Sequence, residues 1–400
     1  MKMAILSDIH ASEYPVAIPT RKGEWGLHLV RRALARITRW IKPDVILVLG
    51  DVNNDGNSGN IHHLDAIRDE LDATGIPFIS VPGNHDQQPA DHYRHMPDHR
   101  PYRDVAGVRF AVFCDPEAPG YCATRLPAQM DAMRCLRHDG FSGPIAMLQH
   151  VPVLPERGHF NPYVYTNLPE VLACMREMRI GLALGGHYHP GVMPMTMEGM
   201  VFAAAPALCE MPFSFLELDW DGTSASCRRH TLAMPTEFGL VDTHVHTHFA
   251  YCNENMEPAR MAELSSMMGL SGFVFAEHSS HLLFSCDTIR TGYEHGVAAR
   301  VPAHCRMDAY FETIRPLCAP NILPGLEMDI DFSGQPFIRP EDLSRIRFAL
   351  AAVHQIPNPD YAKTNPAAFA EDVYHLSEAA CRSGRFQALA HPLRTFDWRK

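Results

Sequence analysis

Five short segments of this 400-residue chain place metal-ligand residue types directly after apolar runs. They are SDIH (Asp8, His10), GDVNND (Asp51), PGNHD (Asn84, His85), LQH (His150) and GGHYH (His187, His189). Each opens into a polar or glycine-rich loop, where ligands collect at the carboxyl edge of a sheet. Carboxylate, amide and imidazole together suit borderline divalent ions (manganese, iron, zinc or cobalt) better than calcium or magnesium. Two such ions would bring more positive charge than Asp8 and Asp51 neutralise. The surplus can hold a phosphate, and water on such an ion ionises near neutral pH. Phosphoester hydrolysis is the chemistry this pattern favours.

A second set begins at LVDTHVHTHF, Leu240 to Phe249, where His244, His246 and His248 alternate. Residues two apart in a strand share a face, so these imidazoles are expected to converge. Further apolar runs end in AEHSS (His278), GLEMD (Glu327), AAVHQ (His354) and AHPLR (His391). The first set is complete without any of these residues, so they predict a second centre. His248 reads as an exposed or supporting histidine rather than a ligand.

The elements that must position these residues can be read from periodicity. MAILSD, VILVLGD, PFISVPG, VRFAVFCD, PIAMLQH and IGLALGGH are expected buried strands. A helix is expected from Trp25 to Ile41, with Leu29, Val30, Ala33, Leu34, Ile37 and Ile41 on one stripe, and Pro43 ending it. Ile61, Leu64, Ile67 and Leu71 mark a second helix that Gly75 closes. Gly191 to Leu232 is hairpin-like, with an Asp-Gly turn. Two packed sheets with helices outside is the simplest architecture. Asn53, His62, His63 and His92–Arg100 read as solvated loop residues or as lining of the substrate entrance.

AMPTEFG, Ala233 to Gly239, reads as a linker, after which strand–helix alternation restarts as a βα series. The expected domains are therefore 1–235 and 236–400. Hydrophobic residues make up 46% and charged residues 20%, enough apolar mass for two cores. A net charge of −11 argues against a duplex-binding surface. Eleven scattered cysteines without a CxxC pair argue against a disulfide framework. No apolar run is long enough for a membrane span, and no leader pattern precedes MKMAILSDIH, so a cytoplasmic location is expected.

Taken in order, DxH, GD, GNHD, H and GHxH resemble the calcineurin-like metallophosphoesterase family over roughly residues 1–235. The short spacings resemble the branch with class III cyclic-nucleotide phosphodiesterases and bacterial glycerophosphodiesterases. The resemblance implies a four-layer α/β/β/α sandwich holding two divalent transition metals (manganese, iron or zinc). Asp8, His10, Asp51 and His189 would hold one metal. Asp51 would bridge to the other, held also by Asn84, His150 and His187. Catalysis would involve Asp51 and His85, the latter as general acid or phosphate contact beside the leaving oxygen. The implied reaction is attack of a metal-bound hydroxide on a small phosphodiester or phosphomonoester.

The second set resembles the polymerase-and-histidinol-phosphatase (PHP) family, a distorted (β/α)7 barrel of phosphoesterases binding up to three zinc, manganese or iron ions. The matching pieces are HxH, the acid–His pair, the GLE glutamate, a strand-end histidine and the HP pair. By that match His244, His246 and Glu327 hold one metal, Glu327 bridges to a second held by His354 and His391, and His278 helps bind a third. The family's next ligand after HxH has Cys252 and Glu254 as candidates here. Its late DxH pair is missing, Asp397 being the one acid after His391. The module therefore reads as a partial barrel, short by about two strands. The expected substrate is a nucleotide or glycerophosphodiester-like compound, opened at the first site and dephosphorylated at the second. Two rivals stand beside this reading: a nuclease, which the net charge and missing basic–aromatic track oppose, and a second module that is only a metal-stapled structural or oligomerisation domain. A homo-oligomer stays open.

Overall fold

The computed structural model describes residues 1–56, 61–155, 161–252 and 256–392. The chain divides into two compact units, Met1–Ala233 and Met234–Lys400. Among the described residues the first unit contains two large sheets and a two-stranded ribbon, Glu117–Ala118 with Cys122–Ala123. One runs Ala225–Thr231, Ser214–Trp220, Lys2–Leu6, Val45–Leu49, Phe78–Val81, with the last three strands parallel. The other runs Val192–Met197, Met200–Ala204, Ile180–Gly185, Ile145–Leu148, Val108–Val112, Tyr102–Val105.

Strand alternation explains how the sheets stack. Met3, Ile5, Val45, Leu47 and Ile79 of the first sheet share one core with Phe110, Leu148, Leu182, Leu184 and Val201 of the second. Side chains on the opposite face of the second sheet, including Ile145, Met147, Ile180 and Phe202, pack on Met130 and Met133 of helix Pro127–Arg134. They also meet Val171 and Met175 of helix Leu168–Glu177. Burial on both faces is why these strands read as unbroken apolar runs. The predicted stripe of the first helix, Leu29 to Ile41, is buried throughout. Its body is Gly26–Arg36, followed by a π-type turn over Ile37–Ile41 and a left-handed Lys42 before Pro43. At the Asp-Gly turn, Gly222 supplies φ +103° while Asp221 Oδ1 accepts the amides of Thr223 and Ser224. This closes the hairpin Ser214–Trp220/Ala225–Thr231.

The second unit holds one parallel sheet whose order follows the chain: Val241–Val245, Gly272–His278, Ile322–Asp329, Phe348–Ala352, Ala388–Leu389. Phe273 and Phe275 pack on Tyr310 and Phe311 of helix Met307–Ile314. Ala351 and Val353 meet Phe369, Val373 and Leu376 of helix Pro366–Arg382. Among the described residues the sheet has five strands, with Val241–Val245 and Ala388–Leu389 as its edges. Glu254 and Asp397 lie outside the described residues. None of the eleven cysteines is in a disulfide, and no described helix is long and apolar enough to cross a membrane.

Candidate metal centres

In the first unit Asp8, His10, Asp51, Asn84, His85, His150, His187 and His189 each lie just beyond a strand end, and the loops bring them together. Asp51 is central: its Oδ2 lies 3.6 Å from His10 Nε2 and 3.2 Å from His150 Nε2. On one side His189 Nε2 is 3.4 Å from Asp8 Oδ1 and 3.3 Å from His10 Nε2. On the other, His150 Nε2 is 3.2 Å from both Asn84 Oδ1 and His187 Nδ1. Two lobes, Asp8/His10/His189 and Asn84/His150/His187, thus share Asp51. His85 stands beside them, its ring 4.8 Å from that of His10 and its Nδ1 2.6 Å from Asn54 O.

The electrostatics call for positive charge. Asp8 and Asp51 are essentially fully buried. Burial opposes their ionisation, yet the neighbouring imidazoles hold both below the usual carboxylate range. Burial likewise opposes charge on His150, but Asp51 and Asp8 push it up to about 10. Against burial, Asp8 and Glu210 raise His189 to about 9. Burial brings His10 down to about 3 and His187 to about 4. Protons on His150 and His189 here supply charge that divalent cations would supply instead. Asp8 Oδ1 is buried and makes no hydrogen bond, which also fits a cation. The donor set suits the borderline ions expected.

Backbone geometry makes the convergence. Asp8, His10, Asp51 and His187 have φ of 52°, 48°, 51° and 64°, a left-handed conformation that non-glycine residues seldom adopt. Glycine is required alongside: a Cβ at Gly83 would stand 2.2 Å from Asp51 Oδ1, and one at Gly186 would stand 1.8 Å from Ser7 Oγ. Asp86, the last residue of GNHD, accepts the amides of Gly83 and Asn53 at 2.8 Å each and so ties the Asn84 loop to the Asp51 loop.

Residues 1–191 match the calcineurin-like phosphoesterase family. They form a calcineurin-like metallophosphoesterase domain. A probable cyclic nucleotide phosphodiesterase from a Synechococcus strain is 27% identical over 197 residues, covering 45% of this chain and 74% of that protein. Among solved structures, a dimetal phosphatase from Danio rerio covers 57% of this chain and 96% of its own, at 15% identity and a TM-score of 0.44. A purple acid phosphatase from yellow lupin (Lupinus luteus) seeds covers 57% and 51%, at 12% identity and a TM-score of 0.40. The protein is a metal-dependent phosphoester hydrolase, and the family implies divalent metal ions.

Outside the metallophosphoesterase domain, the second unit gathers its histidines around one buried carboxylate. Glu327 Oε2 lies 2.9 Å from His278 Nδ1, 3.1 Å from His244 Nε2 and 3.6 Å from His246 Nε2. Glu327 Oε1 lies 2.7 Å from His391 Nε2 and 3.5 Å from His354 Nε2. Both Glu327 oxygens, His244 Nε2, His278 Nδ1 and His391 Nε2 are buried and form no hydrogen bond in this arrangement. Buried lone pairs that converge without hydrogen bonds fit a cation site. Burial works against the Glu327 charge, but the surrounding imidazoles hold it far below the usual carboxylate range.

His248 departs from the alternation: the strand ends at Val245, and the His248 side chain turns to Glu257 at 3.4 Å and stacks on Phe249. Two further expectations need correction. His92 is wholly buried, bonded to Ser80 at 3.1 Å from helix Pro89–His95, and Asn53 is buried against Gln87. Neither is solvated, because helix Pro89–His95 packs His92 onto the first sheet while Asp86 and Gln87 hold Asn53. His62 and His63 stand in helix Ile61–Ala73.

Several supporting residues went unassigned from sequence. Glu210 Oε1 accepts from His189 Nδ1 at 2.9 Å. Asp329 Oδ1 pairs with His354 Nδ1 at 2.6 Å and also takes the Tyr293 hydroxyl. Glu277, the acid of the acid–His pair, lies 3.5 Å from His246 Nδ1 and accepts the Thr247 amide. Each carboxylate faces the ring nitrogen turned away from the cluster; the hydrogen bonds of Glu210 and Asp329 fix the tautomers that His189 and His354 present inward. His281 joins Cys252 and His278 in a further group, with Cys252 Sγ 3.6 Å from His278 Nε2.

Proposed function

We propose that the metallophosphoesterase domain hydrolyses small phosphodiesters or phosphomonoesters at a dinuclear centre. One metal would be held by Asp8, His10, Asp51 and His189, the other by Asp51, Asn84, His150 and His187. The observation that supports this most directly is the shared carboxylate: Asp51 Oδ2 lies within 3.6 Å of an imidazole from each lobe. Manganese, iron or zinc bound there would activate water and neutralise phosphoryl charge.

The chain's own residues do the rest. Buried Asp8 and Asp51 keep their charge aimed at the centre, and the Gly83 and Gly186 backbones let the loops close upon it. The His85 amide donates to Asp51 Oδ1 at 2.9 Å, so that carboxylate is oriented before substrate arrives. With Nδ1–H donated to Asn54 O, a protonated His85 presents Nε2–H towards the cleft. From there it can protonate a departing alkoxide.

For the second unit we propose a PHP-type centre in which His244, His246 and Glu327 hold one metal, Glu327, His354 and His391 a second, and His278 a third. Its activity would be removal of the monoester left by the first site. The supporting observation is the set of unbonded lone pairs around Glu327. The experiment is metal analysis beside assays on cyclic nucleotides, glycerophosphodiesters and their product monoesters. The His244→Ala/His246→Ala pair should spare diester cleavage and let the monoester accumulate. If only substitutions in the first unit affect both steps, the second unit is a scaffold.

A further inference from the structure

Beside Asp51, Asn84 and His85 the first centre opens into a cleft of about 430 Å³. Its outer wall is Tyr121, Tyr163 and Tyr188, with Arg21 also lining it. The Tyr163 ring lies 6.4 Å from each of the other two and 4.5 Å from the His187 imidazole. All three contacts are edge-to-face, so none of these ring pairs is stacked face to face. Tyr121 is 59% exposed and holds φ +59°, a conformation that a bulky side chain resists. It is kept there by the metal centre itself, because His187 Nε2–H donates to Tyr121 O at 2.9 Å. The Tyr163 backbone is pinned on both sides by the Asn161 side chain, at 2.7 and 3.1 Å. Arg21 Nε is buried and makes no hydrogen bond, its nearest acid being Glu210 at 3.9 Å.

Resting on the phosphodiester reading above, we propose that this cleft selects substrates whose organic group is a planar nucleobase. The base lies against the tyrosine faces, while Arg21 meets an anionic oxygen of the phosphate. Of the three tyrosines beside the phosphoester centre, Tyr121 is exposed and Tyr163 and Tyr188 are half-buried, and a glycerol substituent offers none of them a π face to stack on. A base offers a π face to stack and requires no dedicated hydrogen-bonding partner. Recognition by stacking predicts tolerance among bases, purines being preferred for their larger face.

The test uses the full chain as purified, with two readouts. Calorimetry compares adenosine 5′-monophosphate with glycerol 3-phosphate, and kcat/KM compares a cyclic nucleotide with a glycerophosphodiester. Wild type should bind the adenosine compound more tightly. Tyr163→Ala should lower the nucleotide-to-glycerol ratio roughly 5- to 100-fold in both readouts, and Tyr163→Phe should restore it. Tyr121→Ala, at an exposed position, should lower it in the same direction and guards against misfolding at Tyr163. Equal binding of the two compounds by wild type, or ratios unchanged in both alanine variants, would overturn the clamp. Failure of the phosphodiester reading looks different: metal-replete wild type would cleave neither diester, while the binding ratios would still decide the clamp.

Discussion

The two centres use the same residue types but are assembled in opposite ways. In the first unit the ligand candidates come from loops at the ends of two stacked sheets. Four of them sit in left-handed backbone, with glycines clearing space for the carboxylates. In the second unit they line one edge of a single parallel sheet, and His391 alone among them has positive φ. The first spreads its charge over two lobes around Asp51, with Asp8 as a second carboxylate. The second gathers five imidazoles about Glu327 alone. A centre made by bending the backbone should be sensitive to small steric changes away from any ligand. A centre made by strand alternation should hinge on its one carboxylate.

The largest effect should follow from Asp51→Ala. Metal content of the first unit and diester turnover should fall together, the latter by about 10³-fold or more, as read by elemental analysis and steady-state rates. Wild-type activity would place the chemistry in the other unit and undo the comparison. Glu327→Gln should strip the second unit of metal, by at least about 100-fold in affinity, while diester cleavage persists. Metal retained at full occupancy would mean Glu327 is no hub. Gly83→Ala sharpens the contrast, since its methyl would meet Asp51 Oδ1 at 2.2 Å. A displacement of that order should lower diester turnover by about 100-fold, with far-UV circular dichroism unchanged.

A smaller effect concerns pH in chelator-treated protein. The histidines raised to about 10 and about 9, His150 and His189, hold more protons folded than unfolded. Their stabilisation is therefore complete below the ordinary 6.5 and is lost as pH rises through the folded values. The Tm of the chelated first unit should decline from about pH 7 to about pH 10, whereas the metal-loaded form, its ligands already deprotonated, should decline less. Parallel curves would contradict the charge substitution argued for Asp51. The smallest change should come from His248→Ala. Its side chain pairs with exposed Glu257 away from the cluster, so metal content should not move and stability should shift within about 0.5 kcal/mol.

Much of this was legible in the residues because both centres sit where apolar strands end, and strands buried on both faces announce themselves. The ligand candidates therefore emerged from local pattern. Their supports did not. Glu210 reaches His189 only after the chain returns through two strands, and nothing in ALCEM marks it. Asp329 was within reach: it follows Glu327 by two positions, so strand alternation puts both on one face. His281 shares a short helical turn with His278, a relation that appears once Ser279–Leu283 is known to be helical. Left-handed φ at Asp8 or Asp51 carries no local signature, being imposed by what packs around those loops. His92 misled because polarity in HYRHMPDHR suggests solvent, while helix Pro89–His95 turns that imidazole onto Ser80.

The placement of strand Lys2–Leu6 bears on how the protein is made. It lies inside its sheet, between Val45–Leu49 and Ser214–Trp220, and the Leu208 and Cys209 amides donate to Ser7 O and Asp8 O. Strand Lys2–Leu6 is thus secured by segments made some two hundred residues later. The Asp8 turn has its Gly50 partner early but lacks the Leu208 and Cys209 bonds until those segments arrive, so completion of the first centre is a late event in synthesis. A chain released at residue 191, although it contains every ligand candidate of that centre, would leave Lys2–Leu6 as an open sheet edge. Such an edge is prone to pair with other chains. Nascent copies should accordingly depend on chaperone protection until strand Ser214–Trp220 has emerged.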